Sequence, residues 1–558
     1  MKNSTKILIA TLVTLLVAAV GFYFLLPAIN PYSQETWVCL LFLIIVWGVT
    51  FLLLGAADGV KTMKNNKSFS FSAMKKGALK WILIAAAVPV VVLAVGNIAS
   101  STFFNAKAYS TLIEVPESVF EEDMPENDTV TNIALMDSSS ATIIGNRTLG
   151  ALSDVVSQYE AGSSYSQINY VGAPAKVTNL EYVGFFKWFN NRASGIPGYV
   201  KVDPVNSDAE YVKFEKPMKY VDSAYFGDDL TRKLRFEYPT KIFNDIVFEI
   251  DENGNPYYIV ACVAPRIGMF GAMDVNEVII FNPVDGTSEI YSVADTPSWV
   301  DNVFNGYLAT QKYDWFGMLK NGYWNTIIGN KDCKVTTDDF GFIMIGDDVW
   351  YFTGVTSVTA DESNIGFIIS NARTGEYKFY PVIGAEEYSA MHAAEGEVQE
   401  KGYVASFPSL INVSGEATYI MVLKDSGGIV KLCALVNVEN YSIVATGNNQ
   451  TEAKQAYIKL LEENGIIKKE EAPPAEEVAT ETKEITVQML KTVVVDGNTV
   501  IYICDADGIL YKQKVSDDES IVLIEYGDKI TIEYSKTDIE QIKQIVSWSV
   551  TAEKESAE

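Results

Sequence analysis

Three stretches of this chain run eighteen residues or more without a charge: Ile7–Leu26, Trp37–Leu54 and Trp81–Ile98. A helix needs about 20 apolar residues to cross a hydrocarbon core of ~30 Å, so the pattern predicts three spanning helices at about 7–26, 37–54 and 81–98. The first run is too long for the apolar part of a secretory leader, and no small-x-small cleavage site follows it, so it is expected to be retained. Pro89 in the third run is tolerable in lipid. Past residue 103 the pattern changes. Residues 104–135 read as an acidic connector. Asp137–Tyr159 places Ile143, Leu149, Leu152, Val155 and Val156 at helical spacing behind a cap at Asp137 or the serines after it. From about Ser164, apolar and polar residues alternate between Asn/Asp/Gly turns, which predicts hairpins.

The hairpins echo one another. Val202–Glu210 overlays Phe281–Glu289 at a shift of 79 positions, Ile369–Glu376 is a shorter variant, and Tyr419–Lys431 is a fainter fourth. Helical-looking stretches follow: TPSWVDNVF, AEEYSAMHAAEG and TEAKQAYIKLLEENG. The expected unit is a β-hairpin plus helix, used three or four times across 164–465 and packed into shared α+β layers. Lys468–Glu484 is charged and Ala/Pro-rich, predicting a solvated linker over 466–484. Ile485–Tyr534 is dense in strands with turns at Asp496-Gly497, Asp507-Gly508 and Gly527-Asp528. It predicts a small closed barrel of SH3 or OB type over 485–546, with a short helix at 538–546 and a disordered tail over 547–558.

With its turns at Gly375-Glu376 and Gly286-Thr287-Ser288-Glu289, the hairpin-plus-helix pattern resembles the PepSY family of extracytoplasmic modules. The layout of spans followed by DESNIGF (Asp361–Phe367) and AEEYSAMHAAEGEVQ (Ala385–Gln399) resembles membrane-anchored proteins of Firmicutes bacteria that have no assigned activity. These resemblances imply location and architecture, and carry no catalytic residues with them.

Charge adds orientation. The chain of 558 residues has a net charge of −28. Its first 103 residues hold eight lysines against Glu35 and Asp58, a net +6 that leaves −34 for the remainder. Six of those lysines lie between Gly55 and Lys80, and none lies between Pro27 and Thr36. By the positive-inside rule the lysine-rich loop is cytoplasmic, as is the N-terminus, and everything from about residue 101 is extracytoplasmic. The spans carry no ionisable residue of the kind that marks a proton or ion pathway, so they read as an anchor in the lipid bilayer. So acidic a chain is a poor partner for phosphate backbones, which argues against nucleic acid.

Candidate chemistry is sparse. His392 is the sole histidine and is expected on a helix surface. Cys262, Cys333, Cys433 and Cys504 lack metal-ligand spacing, and read as small buried hydrophobes, with one or two disulfides left open. Asp251–Asn255 starts like a calcium loop, but Pro256 stands where glycine is required, and a hairpin turn explains it better. The same holds for Asp505–Gly508. Carboxylate runs at Glu121-Glu122-Asp123, Asp228-Asp229 and Asp347-Asp348 do not by themselves build a glycosidase cleft. No cofactor motif, no metal site and no catalytic residue is assigned. Two aromatic clusters stand out. In FFKWF, Phe185, Trp188 and Phe189 share one helical face and are expected in the core. In Tyr313–Gly329, Tyr313, Trp315, Tyr323 and Trp324 are candidate partner-binding aromatics. The expectation is a multi-pass protein of the cell membrane that binds or scaffolds an envelope protein or polymer without catalysis, with homo-oligomerisation open. The alternative is an extracytoplasmic hydrolase or a regulator of one.

Overall fold

Where lipid offers no hydrogen bonds, an apolar run has to satisfy its own backbone, and the three runs do so as helices. They are α1 (Asn3–Leu25), α2 (Gln34–Asn65) and α3 (Lys76–Ser100) in the computed structural model. It describes residues 3–65, 76–124, 135–205, 208–358, 360–468, 480–495, 498–515, 518–535 and 542–550. Each helix holds a segment of 22 or 23 residues long and apolar enough to cross a membrane. Leu26 takes a left-handed φ of 49° and, with Pro27 behind it, stops α1. Pro89 leaves α3 unbroken.

The predicted connector is packed rather than free. It holds α4 (Thr102–Ser110) and α5 (Phe120–Asp123), and it buries Ile113, Phe120 and Met124 against later sheets. Residues 125–134 of that stretch lie outside the described residues. The helix predicted over 137–159 is α6 (Ser138–Gly150), capped by the Asp137 carboxylate, which accepts the Ser140 N–H at 2.7 Å. It stops short of Tyr159. A single turn, α7 (Ser153–Val156), separates it from the first strand.

The body that follows is four antiparallel sheets, each built largely as a meander. The first has β1 (Tyr159–Ala161), β2 (Ser166–Tyr170), β3 (Ala173–Tyr182), β4 (Ile196–Asp203) and β5 (Asp208–Met218), with α8 (Phe185–Asn191) between β3 and β4. After α9 (Leu230–Glu237) come β6 (Phe243–Ile250), β7 (Pro256–Ile267), β8 (Gly271–Phe281) and β9 (Ser288–Ser292). Next are α10 (Gly306–Leu319), α11 (Asn325–Ile328), β10 (Lys334–Thr336), β11 (Gly341–Ile345), β12 (Asp348–Ser357), β13 (Ala360–Asn371), β14 (Tyr377–Tyr380) and β15 (Gly384–Ala385). The fourth sheet follows α12 (Glu387–Glu397) and comprises β16 (Val404–Ala405), β17 (Ser409–Val413), β18 (Glu416–Lys424), β19 (Val430–Asn437) and β20 (Val444–Gly447), closed by α13 (Gln450–Glu463).

Sheets one and two share a core that includes Ile168, Val177, Tyr199, Val260 and Phe281. Sheets three and four share another around Phe352, Phe367, Tyr419 and Met421. The outward faces are covered by helices: α10 inserts Leu308 against sheet two and Tyr313 against sheet three, and α13 covers sheet four with Tyr457 and Leu461.

The echoing segments fall on hairpins. Val202–Glu210, Phe281–Glu289 and Ile369–Glu376 each span or lead into the turn between the last two strands of a meander, β4–β5, β8–β9 and β13–β14. In each, an Asp or Asn side chain caps the turn: Asp203 to the Val205 N–H at 2.8 Å, Asn282 to Val284 at 2.9 Å, Asn371 to Arg373 at 2.9 Å. Asn206 and Ser207 lie outside the described residues. In sheet four the matching turn starts at Asn437, which caps Asn440 at 2.7 Å, and not within Tyr419–Lys431. Tyr419–Lys431 instead spans β18–β19, whose Asp425–Ile429 turn has the same hydrogen bonds as Asp251–Asn255 and Asp505–Ile509. The calcium-like loops are thus hairpin turns. The stretch TPSWVDNVF is not a helix: Pro297 and Asn305 frame an irregular loop, and α10 begins after it.

The C-terminal module has β21 (Thr480–Thr486), β22 (Met489–Val495), β23 (Asn498–Cys504), β24 (Leu510–Lys514), β25 (Lys529–Ser535) and β26 (Ile542–Val550). Their order is β21-β25-β26-β24-β23-β22. Among the described residues the two end strands do not pair with each other, so no closed barrel is formed, and β24 and β26 are parallel. Thr480–Glu484, read as linker, belongs to β21. Its alternating polar residues suit an edge strand that pairs only with β25. Of the helix predicted at 538–546, the described residues 542–546 are instead in β26, in which IKQIVSWSV alternates, and this strand also takes Ser547–Val550 from the predicted tail. Residues 469–479, 536–541 and 551–558 lie outside the described residues.

Candidate functional site

The body sits on the helix ends. On one side, Ile29 donates its N–H to the Pro239 carbonyl at 2.7 Å, and Asn30 Nδ2 donates to Thr240 at 2.8 Å. The last turn of α1 leaves carbonyls without helical partners. Two arginines of α9 take them: Arg232 Nε donates to Tyr23 O at 3.2 Å and Arg235 Nε to Leu26 O at 2.9 Å. The Arg232 guanidinium also lies 4.5 Å from the Tyr23 ring centre, and Phe236 meets Phe22 edge-on at 5.4 Å. On the other side, Ser100, the last residue of α3, accepts the N–H groups of Met269 and Phe270 at 2.9 and 3.1 Å. The approach is close because of glycine. Gly268 is left-handed at φ 60°, and a Cβ there would collide with Ser100 Oγ; a Cβ on Gly96 would stand 2.5 Å from the Phe270 ring. A cavity of about 650 Å³ lies along this seam, lined by residues including Leu26, Glu35, Arg235, Asp245 and Phe270.

The four aromatics singled out from sequence separate. Tyr313 is buried against sheet three, and Trp315 is half-buried with its ring 4.9 Å from Tyr109. Tyr323 is half-buried and Trp324 is 61% exposed; both meet Phe103, at 5.1 and 5.8 Å. The spacing argument for FFKWF holds for Trp188 alone. Phe185 and Phe189 stay exposed, because α8 is a single short helix whose remaining face is only partly covered, by Tyr225, Phe226 and the Arg192 guanidinium. Sequence reasoning missed Phe103, Phe104, Phe226 and Ile328. An aromatic doublet three residues past the end of a span was the available signal.

A second concavity, about 740 Å³, opens between α6, β5 and the β18–β19 turn. Ile143, Ile144, Leu152, Tyr211 and Ile429 line it together with Arg147.

Titratable groups gather inside the body. The Glu249 carboxylate accepts the N–H groups of Asp301 and Asn302 at 3.0 and 2.8 Å. Asp301 accepts the Asn169 N–H at 2.7 Å, and Asn169 Nδ2 reaches the Asp347 carbonyl at 2.9 Å, so three sheets meet at this junction. Burial pushes Glu249 up to about 6, and burial with the Glu249 charge raises Asp301 strongly. Both acids spend their oxygens on backbone amides, the work of a structural junction rather than of an open cleft. Burial likewise lifts Glu387 to about 7 and lowers Lys176 to about 8.

The remaining sequence candidates have local duties. His392 is exposed on α12. Asp123 holds Lys378 and Tyr380, Asp229 caps α9, and Asp348 pairs with Arg373 at 2.7 Å. All five cysteines are free thiols, with Cys262, Cys333 and Cys433 buried, so the disulfides left open by spacing do not form. No family model matches this chain, and the search of curated proteins finds no match either.

Proposed function

We propose that this chain is a membrane-anchored binding or scaffold protein of a bacterial cell envelope, with no catalysis of its own. The observation that carries the reading is the two-sided seat. A body hydrogen-bonded to the end of α1, to the connection after it and to the end of α3 is a platform with fixed orientation, not a module on a free tether. The lysine-rich stretch lies toward the opposite ends of α2 and α3, so lysine asymmetry supports placing the body and the C-terminal module outside the cell. The Asx-capped turns at Asp203, Asn282, Asn371 and Asn437 support four related hairpin units that present similar edges. The concavity beside α6 is the surface on which an envelope protein or polymer is expected, because it joins apolar side chains to a few polar groups, the Arg147 guanidinium, the Asp208 carboxylate and the Thr148 hydroxyl.

Cross-linking in the native membrane followed by affinity capture tests this. A single defined complex is expected, and Ile429→Glu should abolish it while leaving the chain in the membrane. Recovery of the chain alone, in multiples, would make it a self-assembling scaffold. Recovery of nothing, with hydrolytic activity in the purified protein, overturns the proposal in favour of an enzyme.

A further inference from the structure

Two patches of large apolar side chains are left open beside the anchor. The first joins Phe103 and Phe104 of α4 to Trp324, just before α11, and to Ile327 and Ile328 of α11, with Phe104 64% and Ile328 80% exposed. The second joins Phe185, Phe186 and Phe189 of α8 to Phe226, with Phe186 78% exposed. A monomer in water seldom exposes apolar patches of this kind without a use for them.

Their height is set by contacts already described. Phe103 lies three residues past Ser100, where α3 ends and is pinned to the body. Arg232 ties the second patch to the last turn of α1, since it donates to Tyr23 O through Nε and to Phe226 O through Nη1 at 2.7 Å. Both patches therefore stand where the apolar helices run out, the depth at which aromatic rings favour the boundary between headgroups and acyl chains.

Charge agrees. The region after residue 103 carries −34, yet residues 100–113, 183–201 and 315–331, which supply most of both patches, contain no Asp or Glu. They hold Lys107, Lys187, Arg192, Lys320 and Lys331, besides Lys201, which is paired with Glu210 at 2.6 Å, and the Arg192 guanidinium lies 3.9 Å from the Phe189 ring centre. Beside the second patch, Asp228 pairs with Lys219 at 3.6 Å and Asp229 caps α9; exposed Asp332 follows Lys331 at the edge of the first. Long cationic side chains beside buried rings can reach phosphate groups.

We infer that these two patches are membrane-interfacial feet: they sink into the lipid headgroup boundary on either side of the anchor and hold the body against the bilayer. The occupant is lipid. A protein partner covering the same rings is the competing outcome. This inference does not depend on the binding partner proposed above.

The test uses the full chain in phosphatidylcholine–phosphatidylglycerol nanodiscs, with and without lipids brominated near the top of the acyl chains. The emission belonging to Trp324 is the difference between the wild-type chain and Trp324→Phe. It is expected to lose about half its intensity in brominated discs, as an interfacial indole should. Phe186→Trp adds an independent reporter on the second patch with the same expectation, so one variant failing to fold leaves the test standing. The emission belonging to Trp548 in the C-terminal module, from Trp548→Phe, serves as the reference. If Trp324 and the indole introduced by Phe186→Trp escape the bromines and are instead quenched by aqueous acrylamide, the feet are in water and the inference is overturned.

Discussion

The body and the C-terminal module stabilise themselves in different ways. The body joins its sheets through shared cores and also buries ionisable groups, with Lys176, Glu249, Asp301 and Glu387 all under 4% exposed. The module relies on an aliphatic core of its own, rich in isoleucine: Ile485, Ile501, Ile503, Ile521, Ile530, Ile532 and Ile545 with Tyr511. Its buried acid, Asp505, is fully engaged, accepting from Lys483 at 2.8 Å, from Tyr511 and from two backbone amides. Burial that outweighs the hydrogen bonds a carboxyl accepts makes a region pH-sensitive; burial matched by a cation and a full set of donors does not, above the ordinary carboxylate range. The two regions should therefore unfold as separate units with different pH dependence.

The largest effect that would sharpen this contrast is a cavity in the module. Ile503 is wholly buried, and Ile503→Ala should cost the module about 2–5 kcal/mol. Two-transition calorimetry should show the module's transition falling while the body's stays in place. If both fall together, the regions are one cooperative unit.

Acidity acts on the other side of the comparison. For Glu249 and Glu387 the folded pKa lies above the unfolded value. Their folded forms therefore hold protons that the unfolded chain releases, and body stability should decrease as pH rises from about 4.5 to about 7. Glu387→Gln should remove much of that slope, on the order of 3 kcal/mol at neutral pH from a raised value near 7 at about 1.4 kcal/mol per unit. The module's transition should be flat over the same interval. A slope in the module, or none in the body, would break the comparison.

The smallest effect concerns the seat. Ser100→Ala removes the acceptor for two backbone N–H groups, that of Phe270 buried and that of Met269 half-buried, and should cost about 1–3 kcal/mol locally. Hydrogen exchange at Met269 and Phe270 should accelerate, with no change at the module's amides.

Much of the architecture was legible in residue order. Charge-free runs of helical length, the Asp137 cap, and the Asp and Asn residues that open hairpins are local signals, and each produced its element. Local signals also misled. TPSWVDNVF has helical-looking apolar spacing but carries a proline at its second position; IKQIVSWSV is short enough to read either way until β25 is there to pair with it. FFKWF has the right period for a buried face, yet only Trp188 finds a core.

Sequence by itself determined what each segment could become, since capping, alternation and the absence of charge act within a few residues along the chain. It also determined that lysines lie on one flank of the spans and acids beyond the other. Which surfaces were left open was decided only in three dimensions. Tyr313 and Trp324 are eleven residues apart and chemically alike, but one is buried against sheet three and the other, touching the Phe103 and Tyr323 rings, stays 61% exposed. Burial depends on what arrives from elsewhere in the chain. The seat, the three-sheet acid junction and the exposed rings beside the helix ends all arise from contacts between residues far apart in sequence, which no local pattern encodes.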